Sequence, residues 1–284
     1  MPTIAYLGPE HTNTHVAAQA KFGPRAKYVH APTVDDVFHL VEREQVDYGV
    51  VPIENSLEGA VTHTLDRFIE FKRTPVNIVG EVESHIQHYL ITRPKVKLSE
   101  IEAVYSHPQA LAQCRKWLET HLQKSVLLLE TRSTSAAVDS MLAVNPALGA
   151  RGVRYIESVA AIGRQEAARK FGLKATPIRD DRENKTRFLI LGLSEPKRGK
   201  HNKTSILFAL KDRPGALYDV LTPFKRERIN LTKIESRPSK KKAWEYYFFI
   251  DLEGHESEPR VKRALKALSR STLLLRMLGS YPVR

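Results

Sequence analysis

Four short stretches of the sequence place hydroxyls, amides and a guanidinium at the carboxyl ends of apolar, β-branched runs. They are GPEHTNTH at 8–15, VPIENSLEG at 51–59, YSHPQA at 105–110 and NKTRF at 184–188. In the first, His11 and His15 are four apart, which in a helix puts both imidazoles on one face as half of a metal site. Thr12 suits a helix N-cap, and its hydroxyl with the free N–H groups of a first turn would seat an anion. Asn55 or Ser56 is placed to cap a helix carrying Ala60, Val61, Leu65 and Phe68. One such loop need only cap its helix, but several in one cleft, together with Arg187, would suit a small anionic substrate.

Other chemistries lack their residues. There is no GxSxG elbow, P-loop, HExxH or GxGxxG after a strand, which argues against hydrolase, kinase, zincin and dinucleotide-binding readings. The single cysteine, Cys114, excludes an internal disulfide and a Cys-rich zinc module. Its setting, AQCRKWL, has apolar neighbours at helical spacing and predicts a small buried residue. Histidines alone would have to carry a metal, no third ligand is suggested by spacing, and no metal is expected. Asp180 and Asp181, in a Lys/Arg-rich loop, read as a solvated turn.

The formal charge is +13. It is concentrated in residues 200–284, which hold 19 Lys and Arg against 9 Asp and Glu. Much of the excess is Lys240–Lys242 and the scattered face Arg260, Lys262, Arg263, Lys266 and Arg270. Without interleaved aromatic platforms this predicts a solvated face and not a nucleic-acid partner. No apolar run reaches the roughly 18 residues of a membrane span, and MPTIAYLGPE lacks the features of a secretory signal. A cytoplasmic protein with no membrane partner is expected.

To position the four stretches, the first 195 residues alternate strand candidates with amphipathic helical patterns. The strands are expected at 3–7, 27–30, 48–53, 76–93, 103–105, 126–130, 158–162 and 187–193. The run Val76 to Arg93 exceeds an ordinary α/β strand of about five or six residues. It predicts a segment leaving one α/β lobe and entering a second, with ligands outside the strands' carboxyl ends. SEPKRGKHNK at 194–203 reads as a linker. Beyond it the order β-α-β-β-α-β predicts a ferredoxin-like unit. With roughly 80 residues that unit would gain from a partner, so self-association is expected.

In order and spacing the stretches resemble prephenate dehydratase along nearly the whole chain. The matching residues are IAYLGPExT at 4–12, VPIENSLEGAV at 51–61, YSHPQALAQC at 105–114, STSAA at 133–137, AAIG at 160–163 and TRFLILG at 186–192. The C-terminal unit resembles the ACT regulatory domain, with DRPGAL at 212–217 and INLTKIESRP at 229–238. The resemblance implies a two-lobed catalytic domain of type 2 periplasmic-binding fold at 1–194, lobe 1 being about 1–77 plus 178–194 and lobe 2 about 78–177. An ACT domain would follow at 204–284.

It also implies the reaction: prephenate loses water and carbon dioxide to give phenylpyruvate in phenylalanine biosynthesis, with no cofactor. Thr186 and Arg187 are the implied catalytic residues, the threonine passing a proton or hydrogen bond to the departing hydroxyl and the arginine neutralising a carboxylate or pairing structurally. Thr12, Asn55 and Ser56 are expected to contact substrate, and Phe188 to fix its neighbours by packing. L-Phenylalanine is the implied inhibitor, bound between subunits of a homodimer or homotetramer by Gly215, Ala216 and Leu217 and by Glu235, Ser236, Arg237 and Pro238, with Asn230 and Leu231 nearby.

Because Met1 lies just before the first strand candidate, no fused chorismate mutase is expected. Arogenate dehydratase and a non-catalytic amino-acid sensor are the alternatives. The sequence departs from the family at His11, where glycine is usual, and at Asn13, where phenylalanine is usual. The segment 145–159 is longer than usual.

Overall fold

The computed structural model describes residues 1–70, 75–144, 158–178, 184–240 and 245–283. Most of the long 145–159 segment, Asp180 and Asp181, and Lys241 and Lys242 lie outside these residues. The chain runs β1 (Thr3–Leu7), α1 (Asn13–Phe22), β2 (Lys27–Ala31), α2 (Val34–Glu42), β3 (Tyr48–Asn55), β4 (Gly59–Ala60), α3 (Thr62–Glu70), β5 (Asn77–His85) and β6 (Tyr89–Thr92). It continues with β7 (Ala103–Ser106), α4 (Pro108–Gln113), α5 (Arg115–His121), β8 (Leu127–Glu130), α6 (Thr134–Ala143), β9 (Val159–Gly163), α7 (Gln165–Lys170), β10 (Lys174–Pro177) and β11 (Lys185–Gly192). The C-terminal part is β12 (His201–Ala209), α8 (Ala216–Arg226), β13 (Leu231–Pro238), β14 (Tyr246–Glu253), α9 (Pro259–Ser271) and β15 (Leu274–Val283).

Two compact units result. One comprises Met1–Leu7, Ala17–Ser84 and Thr186–Arg284, the other Gly8–Val16 and His85–Lys185. The first contains a sheet ordered β2-β1-β3-β11-β5, with the short β4 beside β3, and a second sheet ordered β13-β14-β12-β15. The other unit is built on β10-β6-β9-β7-β8. The run from Val76 to Arg93 therefore supplies a strand to each of two sheets. The α/β class and the β-α-β-β-α-β order of the C-terminal part agree with expectation.

Local chemistry explains the elements. At α2, Thr33 and Asp36 form a capping box, and Val34, Val37, Phe38 and Val41 are buried at helical spacing. The YSHPQA stretch ends β7 and starts α4, where Pro108 occupies the first turn and the His107 Nδ1 accepts from the Gln109 N–H at 3.3 Å. Cys114 is buried between α4 and α5, as its neighbours predicted.

Two local expectations need correction. The IENS turn caps no helix: it closes a hairpin, with Asn55 opposite Gly59 and Glu54 opposite Ala60, and α3 starts only at Thr62. The reason is local, since Asn55 Oδ1 takes the N–H groups of Leu57 and Glu58 at 2.9 and 3.2 Å, and Gly59 adopts φ +83. Strand β12 begins at His201, inside the stretch read as linker. Polar composition did not prevent pairing there, because the ladder uses backbone groups, and His201 to Lys203 pair with Val283 to Tyr281.

The central strands β12 and β14 of the sheet β13-β14-β12-β15 are buried on both faces. Alternate residues divide it: Ile206, Phe208, Ile250 and Leu252 pack with Val220 and Phe224 of α8 and Val261, Ala264 and Leu268 of α9. The intervening residues Leu207, Ala209, Tyr247, Phe249, Leu278 and Tyr281 share one apolar core with Val51, Ile53, Phe68, Ile78 and Leu189. One C-terminal sheet is thus a packing layer of the N-terminal sheet as well as the floor of two helices.

Gly279 marks how closely the sheets approach. A Cβ there would lie 2.0 Å from the Ile78 carbonyl oxygen, and both partners are backbone of strands, β15 and β5. Gly279→Ala is expected to destabilise the protein by roughly 1–3 kcal/mol or more through overpacking, seen as a lowered urea midpoint. Gly23→Ala, where nothing lies within 4 Å of the added carbon, separates this effect from the cost of positive φ alone.

Candidate functional site

The first unit brings together two of the four stretches. In β3 and β11, Asn55 stands opposite Thr186 and Glu54 opposite Arg187. Cross-strand partners share a face and successive residues alternate, so the two pairs lie back to back on the sheet. On one face the Asn55 Nδ2 donates to the Thr186 Oγ1 at 2.9 Å, and both side chains are buried. The amide's orientation is set by its other end, because Oδ1 accepts two backbone N–H groups and the NH2 must therefore face the threonine. An Oγ that accepts from Asn55 turns its own proton elsewhere. The pair therefore directs the hydroxyl proton away from Asn55.

On the other face Arg187 is buried among carboxylates. Its Nη1 bonds Glu81 Oε2 at 3.0 Å and Asp251 Oδ2 at 2.7 Å, and its Nη2 bonds Glu54 Oε2 at 3.0 Å. Lys203 pairs with Glu81 at 2.7 Å and Lys233 with Glu54 at 3.2 Å. Behind Asp251, Ser205 donates to its Oδ1 at 2.6 Å and lies 3.0 Å from the Tyr281 hydroxyl. Burial pulls the Arg187 pKa down, but Asp251, Tyr281 and Glu81 outweigh it and hold the guanidinium charged, above its ordinary value. Burial raises the Glu54 carboxyl, yet Lys233 and Arg187 outweigh it and bring it below its ordinary value. Burial, then Asp251 and Glu81, pushes the Tyr281 phenol well up, so it stays protonated.

Phe188 is fully buried with Ile4, Tyr6, Val50 and Ile190, where packing fixes the strand beyond Arg187. Ser56 is exposed in the hairpin turn. The partners of Arg187 were not singled out on the sequence. Their signal was nevertheless present: Glu54 in VPIEN, Glu81 in IVGEVE and Asp251 in FFIDL are acids set within apolar strands, where burial demands a counter-charge.

In the other unit, the Thr12 Oγ1 accepts from the His15 N–H at 3.3 Å and caps α1. The His15 Nδ1 accepts from the His11 N–H at 3.0 Å, which places the proton of a neutral ring on Nε2. Burial first, and His11 second, depress the His15 pKa. His11 adopts φ +64, a conformation that favours glycine. Asn13 Oδ1 accepts from the Arg164 guanidinium at 2.6 Å. Among the described residues no group of three or more His, Cys, Asp or Glu could hold a metal ion.

The residues read as an effector site lie at the start of α8 and on β13. Gly215 has φ +78 and an added Cβ would meet nothing within 4 Å, so its backbone conformation and not a close approach calls for glycine. Ala216 begins α8, and Leu217 and Tyr218 beside it are exposed. On β13, Lys233 and Arg237 turn inward while Ile234, Ser236 and Pro238 are exposed and Glu235 is half-buried. Arg237 holds Asp66 of α3 with two bonds of 3.0 and 3.1 Å, and Lys240 joins it at 2.7 Å. Asn230, just before the half-buried Leu231, donates to Glu253 at 3.1 Å.

Comparison with known proteins shows the family of the chain. The prephenate dehydratase family model matches residues 4–196 and the ACT domain model residues 204–270. A bifunctional chorismate mutase/prephenate dehydratase of Aquifex aeolicus (strain VF5) is 47% identical over 281 residues, covering 98% of this chain and 73% of that protein. A prephenate dehydratase of Methanocaldococcus jannaschii is 41% identical over 256 residues, covering 88% and 86%. Among solved structures, a prephenate dehydratase in complex with L-Phe from Arthrobacter aurescens aligns with a TM-score of 0.85 at 34% identity, covering 99% of this chain and 90% of that one. On these matches the chain belongs to the prephenate dehydratase family of lyases and carries a C-terminal ACT domain.

Proposed function

We propose that Thr186, oriented by Asn55, carries the proton step in the conversion of prephenate to phenylpyruvate. The ring carboxylate leaves as carbon dioxide, and its bonding electrons enter the ring. The hydroxyl across the ring departs with a proton as water. Aromatisation drives the sequence, so the enzyme's task is to deliver that proton and hold the substrate in reacting geometry. A threonine hydroxyl is too weak an acid to stand ionised, so Thr186 passes its proton on while taking another from solvent. The Asn55 N–H bond stabilises the charge that develops on Oγ1.

The observation that supports this reading is the buried Asn55–Thr186 hydrogen bond, which joins the two motifs IENS and TRF across neighbouring strands. Ser56 and Thr12 are assigned to substrate contacts on the motifs they belong to, and Phe188 to packing. In the same reading residues 1–194 form the catalytic domain, in two lobes, and β12 onward the regulatory one.

L-Phenylalanine is the proposed inhibitor. The apolar Ala216, Leu217, Leu231 and Pro238 suit its ring, and the backbone at Gly215 with Asn230, Glu235, Ser236 and Arg237 suits its charges. The exposure of Leu217, Tyr218 and Ile234 supports a homo-oligomer in which a second subunit closes over this surface, and the cytoplasm is the proposed location.

Ultraviolet detection of phenylpyruvate tests the catalytic and regulatory parts together. Wild-type protein is expected to form it and to be inhibited by phenylalanine. Thr186→Ala should lose about 10²–10⁴-fold in kcat, the usual weight of a positioned proton donor, and Thr186→Ser should retain most of it. Activity surviving Thr186→Ala would overturn the assignment. Turnover on arogenate, which bears an amine in place of the side-chain ketone, should be weaker than on prephenate, and a strong preference for arogenate would reverse the substrate. His11→Gly should leave kcat within an order of magnitude, since glycine suits φ +64 and His15 keeps its backbone donor; complete loss would make the imidazole catalytic.

A further inference from the structure

The ion cluster around Arg187 is out of proportion to a cohesive role. Two apolar sheets already share one core around it. Dehydrating carboxylates and cations is costly, and apolar side chains of similar volume often hold such an interface as well or better. What an ion cluster offers beyond cohesion is direction. The guanidinium plane is fixed by Glu81 and Asp251 at one nitrogen and Glu54 at the other.

That direction is applied one residue from Thr186. The β3–β11 register shifts between Arg187 and Phe188, so regular pairing is interrupted immediately after the arginine. A bulge lets the strand bend and re-aim its side chains, and the end of β11 therefore needs a second restraint. Consecutive Cα atoms are about 3.8 Å apart, so a guanidinium anchored on one face constrains the hydroxyl on the other. Of the three anchoring carboxylates, Glu54 and Glu81 come from the catalytic sheet itself, whereas Asp251 comes from β14 of the ACT domain. Its placement is supported in turn by Ser205 of β12.

We propose that Asp251 is a positioning residue for the dehydration: by clamping Arg187 it sets the direction in which Thr186 presents its proton. The ACT sheet is then part of the active-site scaffold, and displacement of β14 relative to β5 alters Arg187 directly. The inference rests on the reading of Thr186 as proton donor.

Asp251→Asn, in the full chain, is expected to lower kcat about 10–100-fold with KM for prephenate within twofold. Ser205→Ala, which frees the carboxylate without removing it, should lower kcat about 3–10-fold and decides the matter if Asp251→Asn does not fold. Combining Asp251→Asn with Arg187→Lys should cost no more than Arg187→Lys alone. Asp66→Asn provides the control, because it breaks the Arg237 and Lys240 pairs between the same two domains away from β11. It should lower thermal stability while leaving kcat within twofold. Wild-type kcat in Ser205→Ala and in any folded Asp251→Asn protein, or an equal fall in Asp66→Asn, would overturn the proposal. If Thr186→Ala abolishes turnover while those variants keep theirs, only the positioning role fails; if Thr186→Ala is active, both readings fail.

Discussion

A charged arginine buried between two sheets is the constraint around which this protein is organised. Arg187 cannot shed its proton, so every group near it must answer a permanent charge. Glu54, Glu81 and Asp251 do so from three strands, and Lys203 and Lys233 balance the resulting excess of acid. The shared apolar core keeps water away and strengthens each of these bonds, while also making each unpaired charge costly. Strand order and sheet packing around β11 are therefore tied to one electrostatic arrangement.

The same strand carries Thr186. Alternation places it back to back with Arg187, so one short motif holds a polar anchor and the proposed proton donor. Asn55 reaches the threonine for a reason that lies in its turn: the hairpin amides occupy its oxygen and leave only its NH2 for the hydroxyl. Backbone geometry thereby settles which way a side-chain amide points, and the amide settles which way a hydroxyl donates.

The regulatory domain enters this arrangement through its second face. A ferredoxin-like sheet with helices on one side usually exposes the other face or pairs it with a partner. Here Tyr247, Phe249, Leu278 and Tyr281 fill it against the catalytic sheet, and Asp251 and Lys233 lie among them. Arg237, from the ESRP motif read as an effector contact, reaches Asp66 of α3. Any change at β13 therefore bears on residues already bonded to α3.

Periodicity in the sequence was enough to recover most of the strands, though not the short β4 or β10, together with the β-α-β-β-α-β order and the buried Cys114, because those depend on spacing within one segment. The motifs drew attention to Asn55 and Thr186, which the fold brings into a hydrogen bond. What spacing could not supply was the meeting of residues 131 apart in the chain, or the partners of Arg187 from β3, β5 and β14. Charged residues in strands look alike before the sheets are packed, and only packing decides whether such a residue faces water, substrate or another charge. The IENS turn shows the local version: capping propensity suits a helix start and a hairpin equally, and the pairing of β4 with β3 chose between them. At His11 the family's usual glycine was the hint of a positive φ, and the fold shows the histidine keeping that dihedral.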